Sequence, residues 1–192
     1  LIADSYYQLD KFIEAAVSYQ EFTVLHPKAS RLEYAIFRIG ESYWALAPEE
    51  VDREQSYTKQ AIQEWQKLLT KFPKSTYAKK SRVLIKAGQE RLANSHDFIA
   101  AFYCKQEIWH ACAYRYSKLA ANYPQFPSLQ KKSYNKAAHA FEQLVSIKGQ
   151  GQEEKHLYYR DFSDNELLEK AKEFRHKANQ KLYYQIFAKQ NV

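Results

Sequence analysis

The sequence predicts an all-α chain, an α-solenoid of stacked helical hairpins. Three observations carry that expectation. Only 4 Gly and 5 Pro punctuate 192 residues rich in Ala, Lys, Gln and Glu, a composition that favours helix and leaves few long loops. Apolar side chains recur at the three- and four-residue spacing of one helix face. Three prolines close such stretches in similar settings, Leu25-His26-Pro27, Lys71-Phe72-Pro73 and Asn122-Tyr123-Pro124, and proline cannot continue a helix past its first turn.

Counting back from each proline tests whether the hairpins share a register. A tetratricopeptide repeat is a 34-residue helical hairpin with small and aromatic positions on its first helix, Ala and Phe on its second, and a closing Pro. From Pro124 the count meets Leu119, Tyr116 and Cys112 on a second helix, then Tyr103, Ala100 and Ile99 on a first. From Pro27 it meets Phe22, Tyr19 and Ala15, then Tyr6, Ala3 and Ile2. From Pro73 it meets Leu68, Trp65 and Ala61, but Tyr43, Gly40, Ile39 and Ile36 fall in place only after about nine extra residues around 47–52 are allowed, which predicts a loop between the two helices. The small residues are expected to let helices approach closely and the tyrosines to pack between repeats, because one hairpin cannot bury its apolar face alone.

The remaining elements follow from local signals. A helical run over about 77–91, with Gly88 as a further close-packing point, is expected to link the second and third repeats. Tyr134, Ala137, Ala138, Phe141 and Leu144 place a helix over about 128–147, and Gly149-Gln150-Gly151 is expected to break it. The polar and then aromatic stretch 152–162 receives no assignment. Ser163 with Glu166 three residues on has the form of a capping box, so a last helix is expected from there to about Ala188. The domain reading is therefore a superhelical domain over 1–147, with a loop and helix over 148–192 extending the same solenoid.

Composition excludes several function classes. The net charge of +7 is spread out, with 14 basic and 12 acidic residues up to position 95 and 15 against 10 after it. Alternating signs read as solvated helix faces rather than a nucleic-acid stripe. Cys104 and Cys112 are too few for a disulfide framework and are not spaced as a redox or zinc motif, so they are expected to be two small buried side chains. No apolar run approaches a membrane span. Leu1 falls inside an amphipathic pattern without Met or cap, as expected of a piece of a longer chain, so missing targeting signals carry no weight. No nucleophile elbow, phosphate loop, zinc-helix or dinucleotide motif is present. The six histidines form no i, i+4 pair, and Glu153 and Glu154 are adjacent and cannot oppose each other across a substrate. No enzyme activity, metal or cofactor is expected.

With the repeats placed, the residues between them resemble the BamD family of outer-membrane β-barrel assembly lipoproteins. The similar segments are His26-Pro27-Lys28-Ala29-Ser30 with Glu33-Tyr34-Ala35 and Arg38-Ile39-Gly40, then Asp52-Arg53-Glu54, then Phe72-Pro73-Lys74-Ser75-Thr76-Tyr77-Ala78. Arg91-Leu92-Ala93, the 100–103 stretch and Trp109 through Tyr123-Pro124 complete the likeness, which covers about 1–147. His96 and Glu107 depart from the family pattern, and the chain beyond Gly149 is longer than the pattern expects.

The resemblance implies a lipid-anchored scaffold on the periplasmic side of the outer membrane. It implies docking to the BamA subunit and other parts of the assembly machine, and reception of unfolded β-barrel precursors. The N-terminal lipid anchor would lie upstream of Leu1. First helices of such hairpins line the concave face, so Tyr34, Phe37, Glu41 and Trp44, with Tyr7 from the preceding repeat, are expected to form a pocket for an extended peptide ending in an aromatic residue. Arg38 is expected to pair with that peptide's carboxylate, although these residues would equally well pack against the insertion loop. Trp109 and Arg115, where the resemblance is tightest, are expected to face other subunits, an internal ion pair being the other role for Arg115. Two further readings stay open, the superhelical accessory region of a periplasmic enzyme such as a lytic transglycosylase, and a general adaptor of the same repeat type.

Overall fold

The computed structural model describes residues 2–147 and 162–190, with side chains up to 180. Every regular element among them is a helix: α1 (Ile2–Gln8), α2 (Phe12–Leu25), α3 (Leu32–Leu46), α4 (Ser56–Lys71), α5 (Ala78–Lys105), α6 (Trp109–Asn122), α7 (Pro127–Ile147) and α8 (Asp164–Gln190). The expected break at Gly149–Gly151, the stretch 152–161 and Glu153 and Glu154 lie outside the described residues. The chain forms two compact units, residues 1–95 and 96–192.

The three prolines end their helices in one way. His26, Phe72 and Tyr123 cap α2, α4 and α6 with φ near −130° (−127°, −134°, −127°) and ψ of 60°, 67° and 55°. Each donates its backbone N–H to the carbonyl four residues back, on Phe22, Leu68 and Leu119. Proline next in sequence has no N–H to offer and forces the cap residue out of the helical region. The turns that follow repeat as well: Ala29, Ser75 and Phe126 donate to the carbonyls of His26, Phe72 and Tyr123 at 3.1, 3.0 and 3.2 Å.

In the first unit α2 packs on α1 and α3, and α4 on α3. One core joins Ala3, Ala15, Tyr19, Ala35 and Ile39, and a second joins Leu32, Ile36, Phe37, Ala61, Trp65 and Leu68. Tyr43 packs against both, so it stands between successive hairpins as its register predicts. Gly40 faces the Trp65 ring so closely that a Cβ there would lie 2.3 Å from Nε1, and the Trp65 indole donates to the Phe37 carbonyl at 3.3 Å. Gly88 meets Ile62 in the same manner. The extra residues form a loop between Leu46 and Ser56, anchored by buried Gln55, which donates to the Glu50 carbonyl at 2.9 Å and accepts from Thr58 at 2.6 Å.

Two expectations need correction. The run to Arg91 and the helix carrying Ile99, Ala100 and Tyr103 are one element, the 28-residue α5, because neither Gly nor Pro interrupts the chain between Gln89 and Lys105. Cys104 and Cys112 are not separate thiols. They form a disulfide with Cα atoms 5.0 Å apart, because the turn after α5 folds α6 back and brings residues eight apart face to face. That turn holds Glu107 at φ 57°, and Asp10 occupies the equivalent place between α1 and α2 at φ 57°.

The second unit packs α6 on α7 and α7 on α8. Alanines 137, 138 and 140, with Phe141 and Leu144, bury one side of α7. Phe141 stacks on Phe174 with centroids 5.7 Å apart, and Arg175 of α8 donates to Glu142 at 2.9 and 3.1 Å. The start of α8 is a reciprocal cap: Glu166 N–H donates to the Ser163 hydroxyl at 3.2 Å, and Ser163 N–H to the Glu166 carboxylate at 2.6 Å.

Candidate functional site

Helices α1 and α3 and the start of α5 bring most of the expected peptide-site residues into one aromatic, charged cluster in the first unit. Positions 34, 37, 38 and 41 recur at three- and four-residue spacing and share one face of α3. Arg38 lies at the centre. Its guanidinium sits 3.6 Å from the Tyr7 ring centroid, donates to Glu41 at 2.9 Å, and reaches the Tyr19 hydroxyl at 3.3 Å. Glu41 is gripped a second time by Lys80 at 2.7 Å. The hydroxyls of Tyr19 and Tyr34 both donate to one oxygen of Asp4, at 2.6 and 2.7 Å.

Burial pushes the Tyr7, Tyr19 and Tyr34 hydroxyls above their ordinary pKa. The Asp4 carboxylate adds to the effect on Tyr19 and Tyr34, so these groups stay neutral donors. For Arg38 burial acts downward, but the hydrogen bonds with Tyr19 and Glu41 outweigh it and its pKa rises. The cluster therefore contains a permanent cation whose charge is already matched.

Three of the expected positions differ from their anticipated setting. Phe37 is 2 % exposed: it stacks on Tyr77 with centroids 4.9 Å apart, and the Lys80 ammonium lies 5.0 Å from its ring. It supports the face from below. Arg38 does not wait for a carboxylate, since Glu41 occupies it. Trp44 is held apart from the cluster's charges, with its ring 5.9 Å from Trp65 and the Arg91 guanidinium 3.9 Å above it. Arg91 also donates to the Pro48 carbonyl at 3.3 Å, so Trp44 is tied to the insertion loop.

Sequence reasoning missed Asp4 and Lys80, which join the face from other helices, and Arg91, which covers Trp44 beside the insertion loop. Spacing within α3 cannot reveal them; only the hairpin register, which sets α1 and α5 beside α3, points there. A separate hollow of about 860 Å³ opens on the opposite side of α3, floored by Leu32, Ile36 and Ile39 and walled by α2 and α4.

Trp109 and Arg115 both belong to α6 in the second unit. The Arg115 guanidinium lies 4.6 Å from the Tyr103 ring centroid, and among the described residues no carboxylate is within ion-pair distance of it. Trp109 meets His139 edge to face at 5.7 Å. No group of three potential metal ligands occurs among the described residues, nor is any helix there long and apolar enough to cross a membrane.

Hairpins with small residues at their crossings, tyrosines between them and proline-closed second helices define a tetratricopeptide-like repeat protein, a class that works by presenting helix faces to other polypeptides. Residues 1–157 match the YfiO family, described as outer membrane lipoprotein, and the chain belongs to that family. It is similar to the outer membrane protein assembly factor BamD of Vibrio cholerae, 26% identical over 149 residues, covering 73% of this chain and 61% of that protein. It is also similar to BamD of Rickettsia prowazekii, 29% identical over 113 residues (59% of this chain and 45% of that protein), and of Neisseria gonorrhoeae, 26% over 130 (63% and 49%). The chain thus spans about half to six-tenths of the length of these relatives.

Proposed function

We propose that the chain is a non-enzymatic scaffold of the outer-membrane β-barrel assembly machine, held at the periplasmic face of the outer membrane by a lipid on an N-terminal segment. In this reading it receives unfolded β-barrel precursors on the α1–α3 face and docks the BamA subunit through α6, at Trp109 and Arg115. The observation that carries the reading is the Tyr7–Arg38–Tyr34 cluster. Rings held by internal hydrogen bonds and a neutralised cation offer contact area with little ordering left to do when a peptide arrives.

The disulfide between Cys104 and Cys112 supports the periplasmic location, since such bonds persist in oxidising compartments and are rare in the cytosol. A shared family with proteins named as assembly factors supports the machine.

The test uses a labelled peptide with the C-terminal sequence of an outer-membrane barrel. Tyr7→Ala removes a half-buried ring from the face and is expected to weaken binding about tenfold, the loss typical of an aromatic anchor, while Phe37→Ala would also unfold the second core and is less informative. Equal affinity in a folded Tyr7→Ala protein would refute the precursor face. Failure to retain BamA from solubilised outer membranes would refute the docking role.

A further inference from the structure

We propose that the pocket between α5, α6 and α7 in the second unit is a docking site for an acidic segment of a partner protein. The hollow measures about 370 Å³, within the range of sites that take a ligand. Its floor is apolar, made by the Cys104–Cys112 bridge and by Tyr116, which is 1 % exposed. The Trp109 ring forms one wall.

The charged side chains that line the pocket are of one sign, while Asp97 meets the Tyr116 hydroxyl from outside the lining. Lys105, Lys132, Lys136 and His139 line the pocket, and no acidic side chain does. Asp97 matches Lys132 at 2.6 Å, and His139 lies 3.8 Å from Glu142, which Arg175 already holds. Among the described residues Lys105 and Lys136 have no carboxylate at ion-pair distance. Residues 96–192 also carry 15 basic against 10 acidic side chains, and a net positive charge favours an approaching anion.

Two unmatched ammonium groups above an aromatic floor fit a peptide that sets carboxylates on either side of one apolar side chain. A phosphate or lipid headgroup would engage the ammonium groups but leave the floor uncovered, and so fits less well. The inference rests on the reading of α6 as the partner-docking side, and it names the chemistry of what docks.

The experiment measures polarisation of a fluorescein-labelled peptide with one Phe between Glu residues, against the same peptide with Gln for Glu. The expected result is saturable binding of the Glu peptide, weakened about tenfold or more in Lys105→Glu/Lys136→Glu and weakened by added salt. Both positions are exposed, so the variant is expected to keep its fold, as circular dichroism would verify. Lys118→Glu, on α6 but outside the pocket, is expected to bind normally. Equal binding of the Gln peptide, unchanged binding by the double variant, or binding only to phosphatidylglycerol vesicles or inorganic phosphate would overturn the proposal. Retention of BamA is read separately. Peptide binding without retention keeps the pocket and rejects the machine, whereas retention without peptide binding rejects the pocket alone.

Discussion

Replacing Gly40 by Ala probes the tightest helix crossing in the chain. A methyl group at Gly40 would stand 2.3 Å from Trp65 Nε1, 2.6 Å from Cδ1 and 2.7 Å from Cε2, where about 3.5–4.0 Å is the comfortable separation. The indole must therefore move by about 1 Å. It has no room, being fully buried and enclosed by Ile36, Phe37, Ala61 and Leu68. Overpacking of this sort costs about 1–3 kcal/mol, and loss of the indole hydrogen bond to the Phe37 carbonyl adds about 1–3 kcal/mol. Alanine's better helix propensity returns about 1 kcal/mol. The net expectation is a loss of about 3 kcal/mol.

Urea unfolding followed by circular dichroism and tryptophan fluorescence measures it, with an unchanged slope marking a change in stability alone. Gly88→Ala serves as the comparison. Its methyl meets the Ile62 side-chain carbons Cγ1 and Cδ1 at 2.8 and 2.9 Å, an aliphatic branch that can turn aside, so a loss below about 1 kcal/mol is expected. A Gly40→Ala protein as stable as the parent, or stabilised as helix propensity alone predicts, would refute the close-crossing argument.

Four other outcomes follow. Glu107→Gly relieves a side chain from the left-handed region at φ 57° and is expected to raise the unfolding midpoint, by about 1 kcal/mol in stability; an unchanged or lower midpoint would contradict the strain. Asp10→Gly is expected to do the same for the α1–α2 turn. Reduction of the Cys104–Cys112 bridge, or Cys104→Ser with Cys112→Ser, frees a loop with a sequence separation of 8 and is expected to lower stability by about 2.5 kcal/mol at 25 °C, while thiol alkylation and mass spectrometry report whether the bond was present. Ser163→Ala removes the reciprocal cap of α8 and is expected to cost about 1 kcal/mol, with faster amide exchange at the first turn of the helix than in the parent.

The helical hairpins were legible because their requirements are local. Ala3, Ala15, Ala61, Ala100 and Cys112 fall at register positions fixed by three prolines, and each is 2 % exposed or less. The Ser163–Glu166 cap was legible for the same reason, since both halves of it lie within one helical turn. What was not legible depends on partners distant in sequence. Glu41 claims Arg38 from within the same helix, but the setting that fixes the pair, Tyr7, Tyr19 and Lys80, comes from other helices, and Phe37 reads as a surface ring until Tyr77 covers it. The disulfide escaped because spacing rules for short motifs say nothing about a hairpin that folds Cys112 back onto Cys104. Continuity of α5 escaped because a repeat register assigns positions and not helix ends.

The matched charges around Arg38 have a consequence for selectivity. With Glu41 held by both Arg38 and Lys80, a chain received here as proposed would find the charged groups at the centre of this face already partnered, beside rings and hydroxyls fixed in place. Discrimination there would come from where a guest puts its aromatic groups, and different sequences with the same spacing would be received alike. Such a surface would also hold its guests equally well in dilute and concentrated salt, unlike the lysine-rimmed pocket of the second unit. One chain would then combine a salt-tolerant receiver of many guests with a salt-sensitive socket for a chosen partner.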